Sequence, residues 1–271
     1  YQKLNSVKGK KAVYAFFGIE YVDGKILSPF FGFIKPLLKK GNSKTGARVK
    51  TWSILPGTGK FTAMIDGKQL CINGTCNCDC IGCYAKSGFY KTSDVIRSNF
   101  INTYLSRNYT NFVKRAIIAQ IYADKIEMVR IHAAGDFFSS KYIDMWKEIV
   151  NACENTSFWT YTKNSAAETA FDDFSNANIV KSIIPGIGIN FGHCDYIIDA
   201  YNKLMAAGER VYICRCGIDD NQHCENCAGC SKNKYVLFVE HSTDYKAKQD
   251  PMYNTLAEII EKQPKQLVNG I

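Results

Sequence analysis

The placement of cysteine constrains this chain more than any other feature of its sequence. Nine of the twelve cysteines fall in two short windows: Cys76, Cys78, Cys80 and Cys83, then Cys214, Cys216, Cys224, Cys227 and Cys230. Thiols separated by one or two residues suit disulfide geometry poorly, but they let several sulfurs converge on one metal centre. A secreted disulfide framework fits less well. The chain is 271 residues long, and Val13–Gly18 is too short for a signal-peptide core and is followed by no small-residue cleavage site. No apolar run approaches the ~20 residues needed to cross a bilayer. The expectation is a soluble, cytoplasmic metalloprotein with no membrane partner.

The net charge of +9 comes from 34 basic and 25 acidic residues. A basic surface attracts anions, nucleic acid among them. The positive residues are dispersed, however, and metal-bound thiolates would offset part of the tally. The densest basic stretch, Lys35 to Lys50, is interrupted by Gly and Ser and reads as a solvated loop. Nucleic acid is therefore a weakly supported partner.

Periodicity supplies the scaffold. The first seventy residues read as strands and loops, with Val49–Leu55 the clearest strand. The Asp94–Ala123 stretch has helical apolar spacing. Strands and helices then alternate: strands at Glu127–Ala133, Ser157–Thr162, within Ile179–Asn190, at Arg210–Cys214 and at Lys234–Glu240, and helices at Lys141–Cys153, Ala166–Phe174, Tyr196–Ala207 and Pro251–Glu261. This pattern predicts an α/β fold with parallel strands, as a partial βα (TIM-like) barrel or an open sheet. The organisation expected is an N-terminal extension over 1–70, a barrel with both cysteine sites over 71–245, and a C-terminal helix over 246–271. Polar or metal-binding residues follow nearly every strand: His132, Gly135 and Asp136, then Lys163 and Asn164, then Asn190 and His193, then Cys214 and Cys216, then His241. In parallel α/β folds the carboxyl ends of the strands form the active face, so both cysteine windows are expected at one rim.

In the first window, Cys76, Cys80 and Cys83 have the spacing C-x3-C-x2-C. Three thiolates hold three irons of a [4Fe-4S] cluster and leave the fourth open, and S-adenosylmethionine is the best-known ligand for such an iron. The spacing looks like that of radical S-adenosylmethionine enzymes, although Gly82 stands where those enzymes usually carry an aromatic residue. Zinc on Cys78, Cys80 and Cys83 and a fully ligated cluster remain alternatives. Downstream, Gly135 and Asp136 could hold the methionyl amino group, with Lys163 and Asn190 as further cofactor contacts. The bland role for Asp136 is a cap on the helix that follows. His132 and Lys163 are candidate catalytic groups; a packed histidine and a solvated lysine are their ordinary readings.

In the second window, Cys224, Cys227 and Cys230 form C-x2-C-x2-C, resembling part of a bacterial ferredoxin loop, with Cys214 or Cys216 completing four ligands. A second iron–sulfur cluster and a four-thiolate Zn2+ site are both consistent with it. Of the leftover cysteines, Cys153 falls on the buried side of a helix and is expected in the core.

Several of these motifs together resemble the phage-associated gene product 88 family. They are Ser53–Pro56, Cys80-Ile-Gly-Cys83-Tyr84-Ala85, Arg130-Ile-His132-Ala-Ala-Gly135-Asp136-Phe137, Tyr161-Thr162-Lys163, the Cys224/Cys227/Cys230 run and Val236–His241. The resemblance implies a shared fold with paired cysteine sites, itself similar to radical S-adenosylmethionine barrels, and names no substrate. The function expected is generation of a 5′-deoxyadenosyl radical on an unknown substrate, with an external electron donor such as flavodoxin or ferredoxin. The rivals are a zinc-stabilised binding protein and a non-radical iron–sulfur carrier.

Overall fold

Alternation along the strands divides the molecule into an outer helical layer and an inner face. The computed structural model describes residues 4, 7–41, 45–65, 67–77, 83, 85, 88–182, 191–219, 222–227, 229–240 and 247–263. The main sheet has five strands: β4 (Lys39–Lys40), β5 (Val49–Ser53), β8 (Met128–Ala134), β9 (Ser157–Thr162) and β10 (Ala177–Lys181), in the order β10-β9-β8-β5-β4. All neighbours are parallel except β4, which runs antiparallel at the edge. Two lysines on this edge strand discourage further pairing. Part of the stretch expected to be a basic loop is thus sheet.

Helices cover one face of this sheet. Val129, Ile131 and Phe158 point into a core shared with Val113 and Ile117 of α3 (Thr110–Asp124) and Trp146 and Ile149 of α4 (Ser140–Ala152). The expected helix over Asp94–Ala123 is two helices, α2 (Ser93–Asn108) and α3, broken at Tyr109, whose φ of −135° and ψ of 46° are not helical. The N-terminal region differs from its strand-and-loop reading. Between Gly9 and Gly18, the segment Lys10–Phe16 forms helix α1, with Val13 and Tyr14 buried and Phe17 accepting a hydrogen bond from Arg115 of α3 (3.1 Å). It is followed by a three-stranded antiparallel sheet, β1 (Tyr21–Val22), β2 (Lys25–Ser28) and β3 (Gly32–Ile34). A hairpin of β6 (Lys60–Ile65) and β7 (Lys68–Asn73) leads into the first cysteine window.

The second half builds a smaller parallel sheet from β11 (Phe191–Gly192), β12 (Val211–Ile213) and β13 (Tyr235–Val239), ordered β11-β13-β12. Tyr235, Leu237 and Val239 pack against Ile197 and Leu204 of α6 (Cys194–Ala206) and Leu256 and Ile260 of α8 (Tyr253–Lys262). Their alternates, Val236 and Phe238, face the main sheet instead, in clusters with Tyr161 and Val180. The Tyr161 and Phe238 rings meet edge to face at 5.4 Å. The fold is therefore mixed α/β, with two parallel sheets turning their inner faces toward one another. The described strands do not close into a ring. No helix among the described residues is long and apolar enough to cross a membrane.

Candidate metal centres

The first cysteine window starts from a clamped backbone. Residues 74–76 run beside 55–59: Gly74 N–H donates to Gly59 O (2.8 Å), Thr75 N–H to Leu55 O (3.0 Å) and Cys76 N–H to Gly57 O (3.1 Å). A side chain at Gly74 would strike the backbone of Pro56 and Gly57. This pairing holds Cys76 just past the carboxyl end of β5, where the Gly57 N–H donates to its Sγ (3.2 Å). A donor aimed at sulfur favours the thiolate. Cys83 is half-buried. Past it, Tyr90 donates to Ala133 O (3.1 Å), which pins the exit of the loop to the end of β8. Cys78 and Cys80 lie outside the described residues.

Gly135 and Asp136 meet Thr75, the residue before Cys76. Gly135 has φ +87° and is pressed against Ile54 and Thr75, so only glycine fits without strain. The Asp136 N–H donates to Thr75 Oγ1 (3.1 Å). Its buried carboxylate is a hub: Oδ1 accepts from Phe137 N–H (2.7 Å) and Thr162 Oγ1 (2.5 Å), and Oδ2 from Lys163 N–H (2.9 Å). Burial raises its pKa, and these donors work against that shift. The carboxylate thus joins the ends of β8 and β9. The cap on the following helix is Ser139, whose Oγ accepts from Tyr142 N–H (3.3 Å). Lys163 lies at this end through its backbone. Asn190 and His241 lie outside the described residues.

His132 points away from this rim. The β8 strand carries five residues, Arg130 to Ala134, against three of β5, Thr51 to Ser53, and His132 takes φ +58°. The irregularity turns its ring into the helical core, where Nε2 meets the Tyr142 hydroxyl (2.9 Å) and Phe137 packs edge to face. Burial, with Arg130 as a second cause, pushes its pKa down to about 3.

The second window is gathered rather than spread. Cys214, Cys216, Cys224, Cys227 and Cys230 all line one narrow cavity of about 10 Å³, walled by Met128, Trp159 and Tyr212. The cavity lies between the inner faces of the two sheets. Met128 and Trp159 are near the amino ends of β8 and β9, and the turn at Glu225 accepts a hydrogen bond from Arg48 N–H (3.0 Å), just before β5. The segment leaves the carboxyl end of β12 at Cys214 and folds back across the main sheet, so its cysteines lie away from the strand end that holds Cys76. Hydroxyls reach two of the sulfurs: Tyr161 to Cys230 (2.8 Å) and Tyr212 to Cys227 (3.4 Å). Asn178 holds Cys230 O (2.7 Å), and the Arg130 guanidinium lies 5.1 Å from the Tyr161 ring centre.

None of the ten described cysteines is in a disulfide. Cys216 is pushed up to about 12 by its contact with Cys214 first and then by burial, and Cys224 and Cys230 are raised further. Crowded thiolates repel one another in a poorly solvated space, and a cation among them would reverse that cost. Among the described residues no three His, Cys, Asp or Glu side chains already stand in metal-holding geometry. The thiols surround the space without closing a coordination sphere. A cavity near 10 Å³ admits roughly one water-sized particle.

Cys214, Cys216, Cys224, Cys227 and Cys230 line one cavity. Tyr212 and Asn178 carry no local signal, whereas Tyr161 is legible from the Trp159/Tyr161 alternation. The family model described as gene product 88 matches residues 36–249, most of the chain, and the protein belongs to that family. No curated protein and no solved structure gives a significant match.

Proposed function

We propose that this member of the gene product 88 family is an iron–sulfur enzyme of the radical S-adenosylmethionine type, with a cluster on Cys76, Cys80 and Cys83 and a second thiolate centre on the Cys214–Cys230 segment. Such a cluster supplies reductive cleavage of S-adenosylmethionine, which starts radical chemistry on a bound substrate. The observation that carries the reading is the delivery of Cys76 past the carboxyl end of β5, directly after Thr75, whose hydroxyl accepts from Asp136 N–H at the end of β8. Parallel α/β folds bind their ligands at this end. Gly57 N–H donates to Cys76 Sγ, and Gly135 lets the chain pass close against Ile54 and Thr75, which brings Asp136 to Thr75. With its carboxylate engaged by three donors, Asp136 shapes this end and contributes negative potential to it. The two facing sheets are read as arcs of one partial βα barrel because Val180, Tyr212 and Val236 share a cluster across them. The reading carries with it a cytoplasmic setting and a flavodoxin- or ferredoxin-class electron donor.

The test is anaerobic reconstitution with iron and sulfide, followed by S-adenosylmethionine and dithionite. The expected product is 5′-deoxyadenosine, absent in Cys80→Ala. Reduced, reconstituted protein that neither binds nor cleaves S-adenosylmethionine would overturn the assignment.

A second reading applies to the inner site alone. Its narrow cavity favours one zinc or iron ion on four thiolates over an auxiliary [4Fe-4S] cluster. Metal and sulfide analysis of a Cys80→Ala/Cys83→Ala protein separates them: one metal without sulfide supports the single ion, and about four irons with sulfide supports the cluster.

A further inference from the structure

We infer that Tyr161 and Tyr212 are positioning residues of the inner centre, whose phenolic hydrogen bonds set the donor strength of its sulfurs. The inference rests on the reading of the Cys214–Cys230 segment as a metal site. The two phenols come from different sheets, Tyr161 from β9 and Tyr212 from β12, and reach different sulfurs, Cys230 at 2.8 Å and Cys227 at 3.4 Å. Neither contact follows from helix or strand formation. The Tyr161 contact needs the main sheet to face the cysteine segment, while the Tyr212 contact needs that segment to fold back over β12. The geometry around the two sulfurs is held from behind. Asn178 of β10 binds Cys230 O (2.7 Å) and Asn233 O (2.8 Å), while Asn233 donates to Gly229 O (2.8 Å). The Gly229 N–H adds a second donor to Cys227 Sγ (3.4 Å). A side chain on Gly229 would collide with the Tyr212 ring, so this glycine lets phenol and sulfur approach.

A hydrogen bond to a ligating thiolate lowers the energy of its lone pairs. It therefore weakens electron donation to the metal, raises the energy of sulfur-to-metal charge transfer and favours the thiolate over the thiol. The closer Tyr161 contact carries the larger effect. Tyr161 also precedes Thr162 and Lys163, the two residues that clamp Asp136 beside Thr75. One stretch of β9 therefore touches a sulfur of the inner centre with one residue and braces the outer site with the next two.

Cobalt(II) serves as the probe, added anaerobically to the full chain carrying Cys80→Ala and Cys83→Ala so that the outer loop does not take the ion. The expected result for this parent is one Co2+ with four-thiolate charge-transfer absorption. Tyr161→Phe is expected to keep the stoichiometry, move that band to lower energy and weaken cobalt binding about tenfold, the low end for loss of a supporting hydrogen bond. Tyr212→Phe is expected to shift the band in the same direction by less. A purely structural tyrosine would lower the melting temperature and leave the band energy unchanged. A parent that binds no cobalt through thiolates defeats the inner-centre reading and this inference with it. A parent with the band, whose two Phe variants absorb at the same energy, defeats this inference alone.

Discussion

At the scale of single residues, His132 shows how the core and the candidate sites part company. A histidine in the left-handed region is strained, and its neighbours hold it there. The Trp52 indole N–H donates to the Tyr142 oxygen (2.7 Å), which leaves the Tyr142 proton for His132 Nε2. The neutral ring is thereby an acceptor, in keeping with a pKa pushed down to about 3 by burial. In the unfolded chain the same group titrates near ~6.5, so the unfolded state binds more protons between these values. Stability conferred by the neutral ring is present above pH ~6.5 and falls as pH drops toward 3, by about 1.4 kcal/mol per pH unit. His132→Asn, which tolerates the positive φ, is expected to flatten this part of the pH–stability curve in urea titrations. Tyr142→Phe strands both the Trp52 donor and the His132 acceptor and is expected to cost about 2 kcal/mol by the same measurement. The catalytic role expected of His132 loses its geometric basis here. Strand alternation alone would put it on the same face as Arg130, and the extra residues of β8 separate them.

Among the elements, the end of β8 positions the outer site. Gly135 at φ +87° passes against Ile54 and Thr75 before Asp136 knots β8 to β9. Gly135→Ala is expected to destabilise the fold by more than about 1 kcal/mol, because a Cβ adds both strain and collision. The same substitution should speed alkylation of Cys76, whose clamp shares Thr75, as followed by mass spectrometry. The start of α4 is a milder case: Ser139→Ala removes one cap and is expected to cost about 1 kcal/mol in thermal unfolding. Much at this scale was readable in advance. The apolar spacing of Tyr142, Met145, Trp146, Ile149 and Val150 locates α4, and the Trp159/Tyr161 alternation identifies the inner face of β9. The α1 helix escaped because a seven-residue segment spans under two turns, and its burial depends on α3, nearly a hundred residues away.

In the whole molecule, the cysteines from Cys214 to Cys230 line a cavity between the main sheet and β12. An ion bound there would tie β12 and its neighbours to the main sheet and stabilise the fold by mass action, since the unfolded chain has no preformed site. Stripping metal with a chelator is expected to lower the melting temperature by several degrees, since ~1 kcal/mol moves Tm by ~2–4 °C in a chain of this size. The same treatment should expose the five thiols to iodoacetamide, whereas Cys153, buried behind α4 and raised to about 12, stays unreactive under either condition.

Short-range sequence information determined which thiols can act together and where strands and helices alternate, because ligand spacing and apolar periodicity are local properties. The presence of cysteine windows, the parallel strands of the main sheet and the burial of Cys153 all follow from it. Only the tertiary structure decided that β13 lies between β11 and β12, that His132 turns into the core, and that the second group of cysteines lines a cavity at the inner face while Cys76 lies past the end of β5. Each of those outcomes depends on packing between segments tens of residues apart, where side-chain volume and the demand of buried polar groups for partners choose among arrangements that local spacing leaves equivalent.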